Sequence, residues 1–481
     1  MATLVFVHGW SVTNTSTYGD LPQRLQQQAS AAGMRLTLAD LWLSEYVSFD
    51  DAVGMDDLVR AFDHALRGLQ LDDGPFACIA HSTGGPLVRS WLRAQRERPK
   101  LYSPCKLSHL IMLAPANYGS ALARLGKGTL GRLKAWWGGI EPGQRVLDWL
   151  TLGSAESLAL NLDGIHGSDP AKSGQYLFVL TGDRPDRKLY DQLNSYTGED
   201  GSDGVVRIAA ANLNACHAVL AATSTRSNGG APDTLNLQLT QAPRSAFKLI
   251  ADAAHSGSVF GIMAGAAPAT ADSILRCLQV GDLADYTALC DDFAAENAQR
   301  DADRVELEPA GPFAPRVHIH DPRSLLIVRI GDESGVPLPS CGVLLTAGPT
   351  ANPDLMPEGF MLDRQSNPAH REVISLFLNY SLLAGDARVP DPRNRRKTLR
   401  AAVPAHRPYG ARLQPYNLTG LVHHALAHSA AEEDLLDMLA PHQTTVLDVV
   451  LPRKLHEGLF RLTQTLTPED FSTPTMGSVI P

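Results

Sequence analysis

The chain opens on short, wholly apolar runs separated by stretches in which apolar residues recur at helical spacing. Residues 4–7 are apolar throughout, as expected of a strand buried on both faces of a parallel sheet. Residues 18–33, rich in Gln, Leu and Ala and closed by Gly33, read as a helix. Residues 35–41 are strand-like. Met55, Leu58, Val59, Phe62, Ala65, Leu66 and Leu69 draw a single helical stripe. A strand follows at 76–80, then a helix at 84–95 whose first turn tolerates Pro86, then a strand at 107–113. This order of strand, helix, strand predicts a doubly wound α/β sheet.

Residues 116–175 break the rhythm. Leu122, Leu125, Leu130, Leu133, Trp136, Trp137, Val146, Leu147, Trp149 and Leu150 make an apolar, helical insertion that reads as a lid or as more core. Strands resume at 176–181 and 247–251, with helices to about 300. Residues 295–316 turn charged and then Pro-rich, a linker composition. Beyond it, 324–330, 342–346, 373–380 and 444–451 read as short strands between Pro and Gly turns, the pattern of a small β-sandwich. The expected organisation is a catalytic unit over 1–300 and a β-sandwich-like accessory unit over 317–481.

Composition adds exclusions. The 481 residues are 44% hydrophobic and 19% charged, which excludes a disordered, collagenous or coiled-coil chain. A net charge of −9 argues against general nucleic-acid binding, which needs a positive face. The six cysteines form no Cys-x-x-Cys pair, so zinc and thioredoxin-type readings lack their spacing and buried free thiols are expected. The N-terminus reads as a first strand, with no basic region ahead of a long apolar core, so no cleaved signal peptide is expected. No apolar run approaches the roughly 20 residues of a spanning helix. The expectation is a protein cytoplasmic as synthesised, whose export, if any, uses a signal-independent system.

The chemistry starts at Ala80-His81-Ser82-Thr83-Gly84-Gly85, between the strand at 76–80 and the helix at 84–95. A nucleophile placed on a strand-to-helix turn needs small residues two positions to either side, because the flanking backbones press close. Ala80 and Gly84 satisfy this, giving G-x-S-x-G with Ala for the first Gly. The following helix also brings its first N–H groups beneath the serine, where negative charge is stabilised. Upstream, His8-Gly9-Trp10 closes the first strand.

With these two motifs, residues 1–265 resemble an α/β-hydrolase of the bacterial lipase and phospholipase type. The segment 113–120, Leu-Ala-Pro-Ala-Asn-Tyr-Gly-Ser, is similar to the one that opens the lid of such lipases. The chain starts directly at the strand before His-Gly, so a smaller sheet is expected. The resemblance implies Ser82 as nucleophile, then an acid, then a late histidine. It also implies an oxyanion hole from the N–H groups of Trp10 and Thr83. Asp203, in Asp-Gly-Val-Val, is similar to the acid loop of many lipases; Asp183, directly after the strand at 176–181, is the rival, and Asp200 a further one. His255, just past the last apolar strand, is the expected base. His217 reads as packing inside a strand, His166 falls in the insertion, and His318 and His320 follow the linker.

The implied reaction is hydrolysis of a lipid carboxylic ester through an acyl-enzyme, with no cofactor and no metal. A soluble short-chain esterase is the alternative within the class. A catalytically inactive module that binds lipid or a partner is the alternative outside it. Trp136, Trp137 and Trp149 would roof the acyl site. The basic run at 388–400 could meet anionic lipid head groups or be a solvated loop. A housekeeping enzyme and a delivered toxin with a secretion or immunity partner both fit the sequence.

Overall fold

The computed structural model describes residues 2–8, 18–43, 50–69, 71, 74–102, 104–125, 143–184, 199–222, 235–257, 259–264, 268–310, 313–339, 341–415, 421–423, 434–451 and 453–455. The first sheet is six-stranded and parallel. It is built from β1 (Ala2–His8), β2 (Leu36–Trp42), β3 (Phe76–His81), β4 (Leu107–Leu113), β5 (Tyr176–Gly182) and β8 (Ala246–Ile250) in the order β2-β1-β3-β4-β5-β8. The apolar runs have no polar face because both faces are covered. Val5, Val7, Cys78, Ala80, Leu110, Met112 and Val179 point to one side, packing on α2 (Met55–Gly68), α3 (Gly84–Glu97), α4 (Gln144–Leu150), α5 (Ala155–His166) and α6 (Ile208–Ala211). Their neighbours Leu4, Phe6, Ala77, Ile79, Ile111, Leu113 and Phe178 point to the other, against α1 (Leu21–Ala31), α7 (Pro268–Leu278) and α8 (Leu283–Ala302).

The second sheet is mixed, also of six strands, in the order β13-β14-β11-β19-β6-β7. These are β6 (Ala215–Ala222), β7 (Leu235–Gln241), β11 (Arg323–Asp332), β13 (Met361–Ser366), β14 (Val373–Asn379) and β19 (Thr444–Leu451). One face, with Leu326, Val328, Ile374, Leu376, Leu447 and Val449, packs on a ribbon of β12 (Cys341–Ala347) and β17 (Tyr409–Pro415) through Val343, Leu345 and Tyr409, a sandwich-like arrangement. The other face, with Leu325, Ile327, Val373 and Val446, joins the helical layer of the first sheet in one core. Small ribbons pair β9 (Val305–Ala310) with β10 (Phe313–Ile319), β15 (Val389–Asp391) with β16 (Asn394–Arg400), and β18 (Leu421–His423) with β20 (Arg453–Leu455). A short α9 (Tyr380–Ala384) follows β14.

Two expectations are corrected. Residues 295–316 are not a linker: they hold the end of α8 and the β9–β10 hairpin. Helix α8 buries only Tyr286, Leu289, Cys290 and Phe293, so its remaining charged surface has a linker's composition without its structure. The division between 1–300 and 317–481 is not clean either. Strand β6 pairs in parallel with β19, Ala215 to Ala221 against Thr444 to Val450, so the N-terminal half supplies two strands to the second sheet.

The described part of the insertion is core. Leu122, Val146, Leu147, Trp149 and Leu150 are buried among the helices. Its turn at Gly153, φ +75°, lies so close to the second sheet that a Cβ there would stand 2.4 Å from Val373 Cγ1. Asn367 Nδ2 donates to the Leu152 carbonyl at 3.1 Å. Trp149 is therefore structural. Leu130, Leu133, Trp136 and Trp137 lie outside the described residues. Cys78, Cys105, Cys216, Cys277 and Cys290 carry free thiols. No helix among the described residues is long and apolar enough to cross a membrane.

Candidate active site

Strand β3 ends at His81 and α3 starts at Gly84, leaving Ser82 on the turn with φ 53°. That is left-handed backbone, costly for a residue with a Cβ. The turn is held on three sides. Ser82 N–H donates to the Leu113 carbonyl at 3.0 Å, and the Ser82 carbonyl accepts from Gly85 and Ala116. Small residues are required there: a Cβ on Gly84 would stand 3.3 Å from Ala80 Cβ, and one on Gly85 only 2.8 Å from Pro115 Cβ.

Histidine 255 follows β8 and is 2% exposed. Its Nε2 lies 3.0 Å from Ser82 Oγ and its Nδ1 2.9 Å from Asp203 Oδ2. A carboxylate can only accept, so Nδ1 carries the proton and Nε2 is left to accept from the serine hydroxyl. Asp203 is 1% exposed, and its Oδ1 accepts from the N–H groups of Val205 and Val206 at 3.0 and 2.8 Å. Gly204, at φ 96°, makes that return of the chain over the carboxylate possible. The Asp203 carbonyl also accepts from His255 N–H at 2.8 Å, so the two loops meet through backbone and side chain together.

The rival acids lie elsewhere. Asp183 pairs with Arg300 and accepts from Asp252 N–H at 3.1 Å, which makes it a brace for the turn after β8. Asp200 sits in the field of the buried Arg323. His217 is in β6, with Nε2 2.9 Å from Asp448 and Nδ1 2.7 Å from His166 Nε2. His320 contacts Glu306 at 2.8 Å on the β9–β10 hairpin, the same hairpin that carries His318. Thr83 stands at the head of α3, next to Ser82. Trp10 lies outside the described residues, as does Gly9. Among the described residues no group of three or more His, Cys, Asp or Glu could hold a metal ion.

Two neighbours were not singled out by the sequence reading. His81 Nε2 donates to the His255 carbonyl at 2.9 Å, and the two rings are 4.8 Å apart. Burial, and then the adjacent His255, lower the His81 pKa from 6.5 to about 3, so it is a neutral donor that fixes the His255 backbone. Its signal was its position inside the serine motif. Arg207, 2% exposed, grips Glu199 through two bonds of 2.9 and 3.0 Å and also pairs with Asp363 of β13. It therefore ties the loop of Asp203 to the second sheet. Nothing in the local pattern around Arg207 announces a partner 156 residues away.

The chain is similar to phospholipase PlaB from Legionella pneumophila, at 36% identity and a TM-score of 0.83, with 100% of both chains covered. It is likewise similar to the same phospholipase in complex with thio-NAD, at 35% identity and a TM-score of 0.80, with 98% of each chain covered. A lipase from Bacillus licheniformis, BlEst2 in mature form, shares 21% identity over 44% of this chain and 79% of that one, at a TM-score of 0.32. No protein-family model and no curated protein matches the chain.

Proposed function

The chain belongs to the family of phospholipase PlaB, within the α/β-hydrolases, and from that premise we propose that Ser82, His255 and Asp203 are its nucleophile, base and acid. The protein is a carboxylic ester hydrolase acting on lipids. The observation that carries the residue assignment is the continuous relay from Ser82 Oγ through His255 to Asp203, at 3.0 and 2.9 Å.

In this reading Ser82 Oγ attacks the acyl carbonyl while His255 Nε2 takes its proton. Asp203 holds the imidazole in the required tautomer and stabilises the imidazolium. The N–H groups of Thr83 and Trp10 receive the developing oxyanion, each donor worth about 2.7–4 kcal/mol. His255 then protonates the leaving alcohol, and water, activated by the same base, releases the fatty acid from Ser82. The substrate is a phospholipid cleaved at an acyl ester, and the exposed Arg396 and Lys397 of β16 hold the enzyme against an anionic lipid surface.

A fluorophosphonate probe followed by a lipid panel tests this. The wild-type chain should label at Ser82 and release free fatty acid from phospholipid vesicles, and Ser82→Ala should do neither. Labelling that persists in Ser82→Ala, or vesicles left intact by the wild type, would overturn the reading.

A further inference from the structure

A cavity of about 130 Å³ lies behind the nucleophile helix, and neither Ser82, His255 nor Asp203 lines it. Arg89, Leu92 and Arg96, spaced three and four apart on α3, present one helical face to it. Asn161 and Gly164 face them from α5. Leu177 and Tyr286 supply apolar wall.

Three arginines border this space, and two have counter-charges. Arg96 pairs with Asp163, and Arg244 pairs with Asp291. Arg89 is different. It is 8% exposed, and no carboxylate among the described residues forms an ion pair with it. Its Nη1 donates to two neutral amides, Asn117 Oδ1 at 3.1 Å and Asn161 Oδ1 at 2.9 Å. These orient the guanidinium without neutralising it. Its Nε and Nη2 have no acceptor among the described residues, yet they are not sealed off from solvent, so they open on the cavity. Nη2 lies 3.4 Å from the place a Cβ would occupy on Gly164, so the missing side chain leaves that donor accessible. Burial lowers the Arg89 pKa to about 10, which still leaves a full positive charge at neutral pH.

Asp163 and Asp169 also line the cavity, and the Asp163 carboxylate, paired with Arg96, acts on Arg89 through space; the buried guanidinium, held directly by neutral amides alone among the described residues, keeps two donors open to the chamber. We infer that this cavity is an oxyanion site, in which Arg89 Nε and Nη2 donate in parallel to the carboxylate or phosphate head of a small molecule. The size sets the class. A cavity of roughly 150 Å³ accepts one benzene ring, so this chamber has room for inorganic phosphate or the carboxylate end of a four-carbon acid. The site is independent of the triad assignment. It nevertheless touches the same scaffold: Asn117, which Arg89 holds, follows Ala116, whose N–H donates to the Ser82 carbonyl.

Calorimetric titration of the full-length protein with inorganic phosphate, and separately with butanoate, at constant ionic strength, tests the inference. Saturable one-to-one binding of either probe is expected, and whichever binds identifies the head group. Arg89→Met should weaken it at least about tenfold. Because Arg89→Met removes a buried clamp and so tests folding together with binding, Gly164→Leu is the second arm: it keeps the charge, places a helix-favouring residue and fills the space beside Nη2. It should lose binding while circular dichroism stays native. No saturable heat with either probe, or affinity unchanged in folded Gly164→Leu, would overturn the site.

Discussion

Ser82 keeps its φ of 53° only because the Leu113, Gly85 and Ala116 hydrogen bonds over-determine the turn, a strain on the order of 1–3 kcal/mol. Ser82→Ala retains Cβ and therefore the strain, so its melting temperature should stay near wild type. Its turnover of a p-nitrophenyl ester should fall by about 10⁴-fold or more. The two acids separate by partner. Asp203→Asn leaves an amide against His255 Nδ1 and favours the wrong tautomer, with an expected loss of about 10⁴ in kcat. Asp183→Asn breaks the pair with Arg300 and should lower the urea midpoint with little effect on kcat. The opposite ranking would move the acid role to Asp183. His81 gives a pH signature. Its folded pKa of about 3 lies below the ordinary 6.5, so the unfolded chain takes the proton first. The stability this neutral histidine contributes is complete above about pH 6.5 and is lost as pH falls toward 3. His81→Gln keeps an N–H donor for the His255 carbonyl and removes the titration, so its melting temperature should fall less between pH 8 and pH 5 than that of wild type. Equal slopes would show that His81 is not the group responsible. Ser82, Asp203 and His255, which the structure brings into hydrogen-bond contact, were legible because each lies in a short motif beside an apolar strand. His81 and Arg207 were not, since their roles come from groups 174 and 156 residues away.

At the scale of elements, legibility followed burial on two faces. Strands β1, β3, β4 and β5 read directly as apolar runs because both their faces are covered. The last turns of helix α8, from residue 295, read as linker because one apolar stripe carries the helix while the rest is charged surface. The β6–β7 pair was invisible as part of the second sheet, since its parallel neighbour β19 enters the chain more than 200 residues later. That long-range pairing bears on the site. Loop 199–207 carries Asp203, and Arg207 fastens it to Glu199 within the loop and to Asp363 on β13. Arg207 also lies over the Phe377 ring at 4.2 Å. Asp363→Ala should leave the nearly fully buried guanidinium with one partner fewer, at about 3 kcal/mol of stability. If the clamp positions Asp203, kcat should fall while KM holds, and Asp363→Glu should recover part of the rate. A drop in urea midpoint with kcat unchanged would make the clamp purely structural.

At the scale of the whole molecule, one apolar core spans the boundary that composition suggested. Leu325, Ile327, Val373 and Val446 of the second sheet pack with Val146, Leu147, Trp149 and Ala210 of the hydrolase half. Cutting the chain near residue 310 removes β11, β14 and β19, and strands β6 without its parallel partner. The fragment should be insoluble or unfolded and inactive even on a soluble short-chain ester, so truncation cannot report on membrane binding. Charge reversal can. Within the basic run at 388–400, Arg393 is spent on Asp391 and Arg400 on Asp321, whereas Arg396 and Lys397 are exposed on β16. A surface hold by these two cations is screened over about 8 Å at physiological salt. Arg396→Glu with Lys397→Glu alters no core residue, so turnover of the soluble ester should match wild type. On anionic vesicles both activity and co-sedimentation should fall, and added salt should bring wild type down toward the double variant. Co-sedimentation equal to wild type at low salt would reduce the β15–β16 ribbon to a solvated hairpin, and leave the second sheet the task its packing already shows, closing the core beneath the loop that carries Asp203.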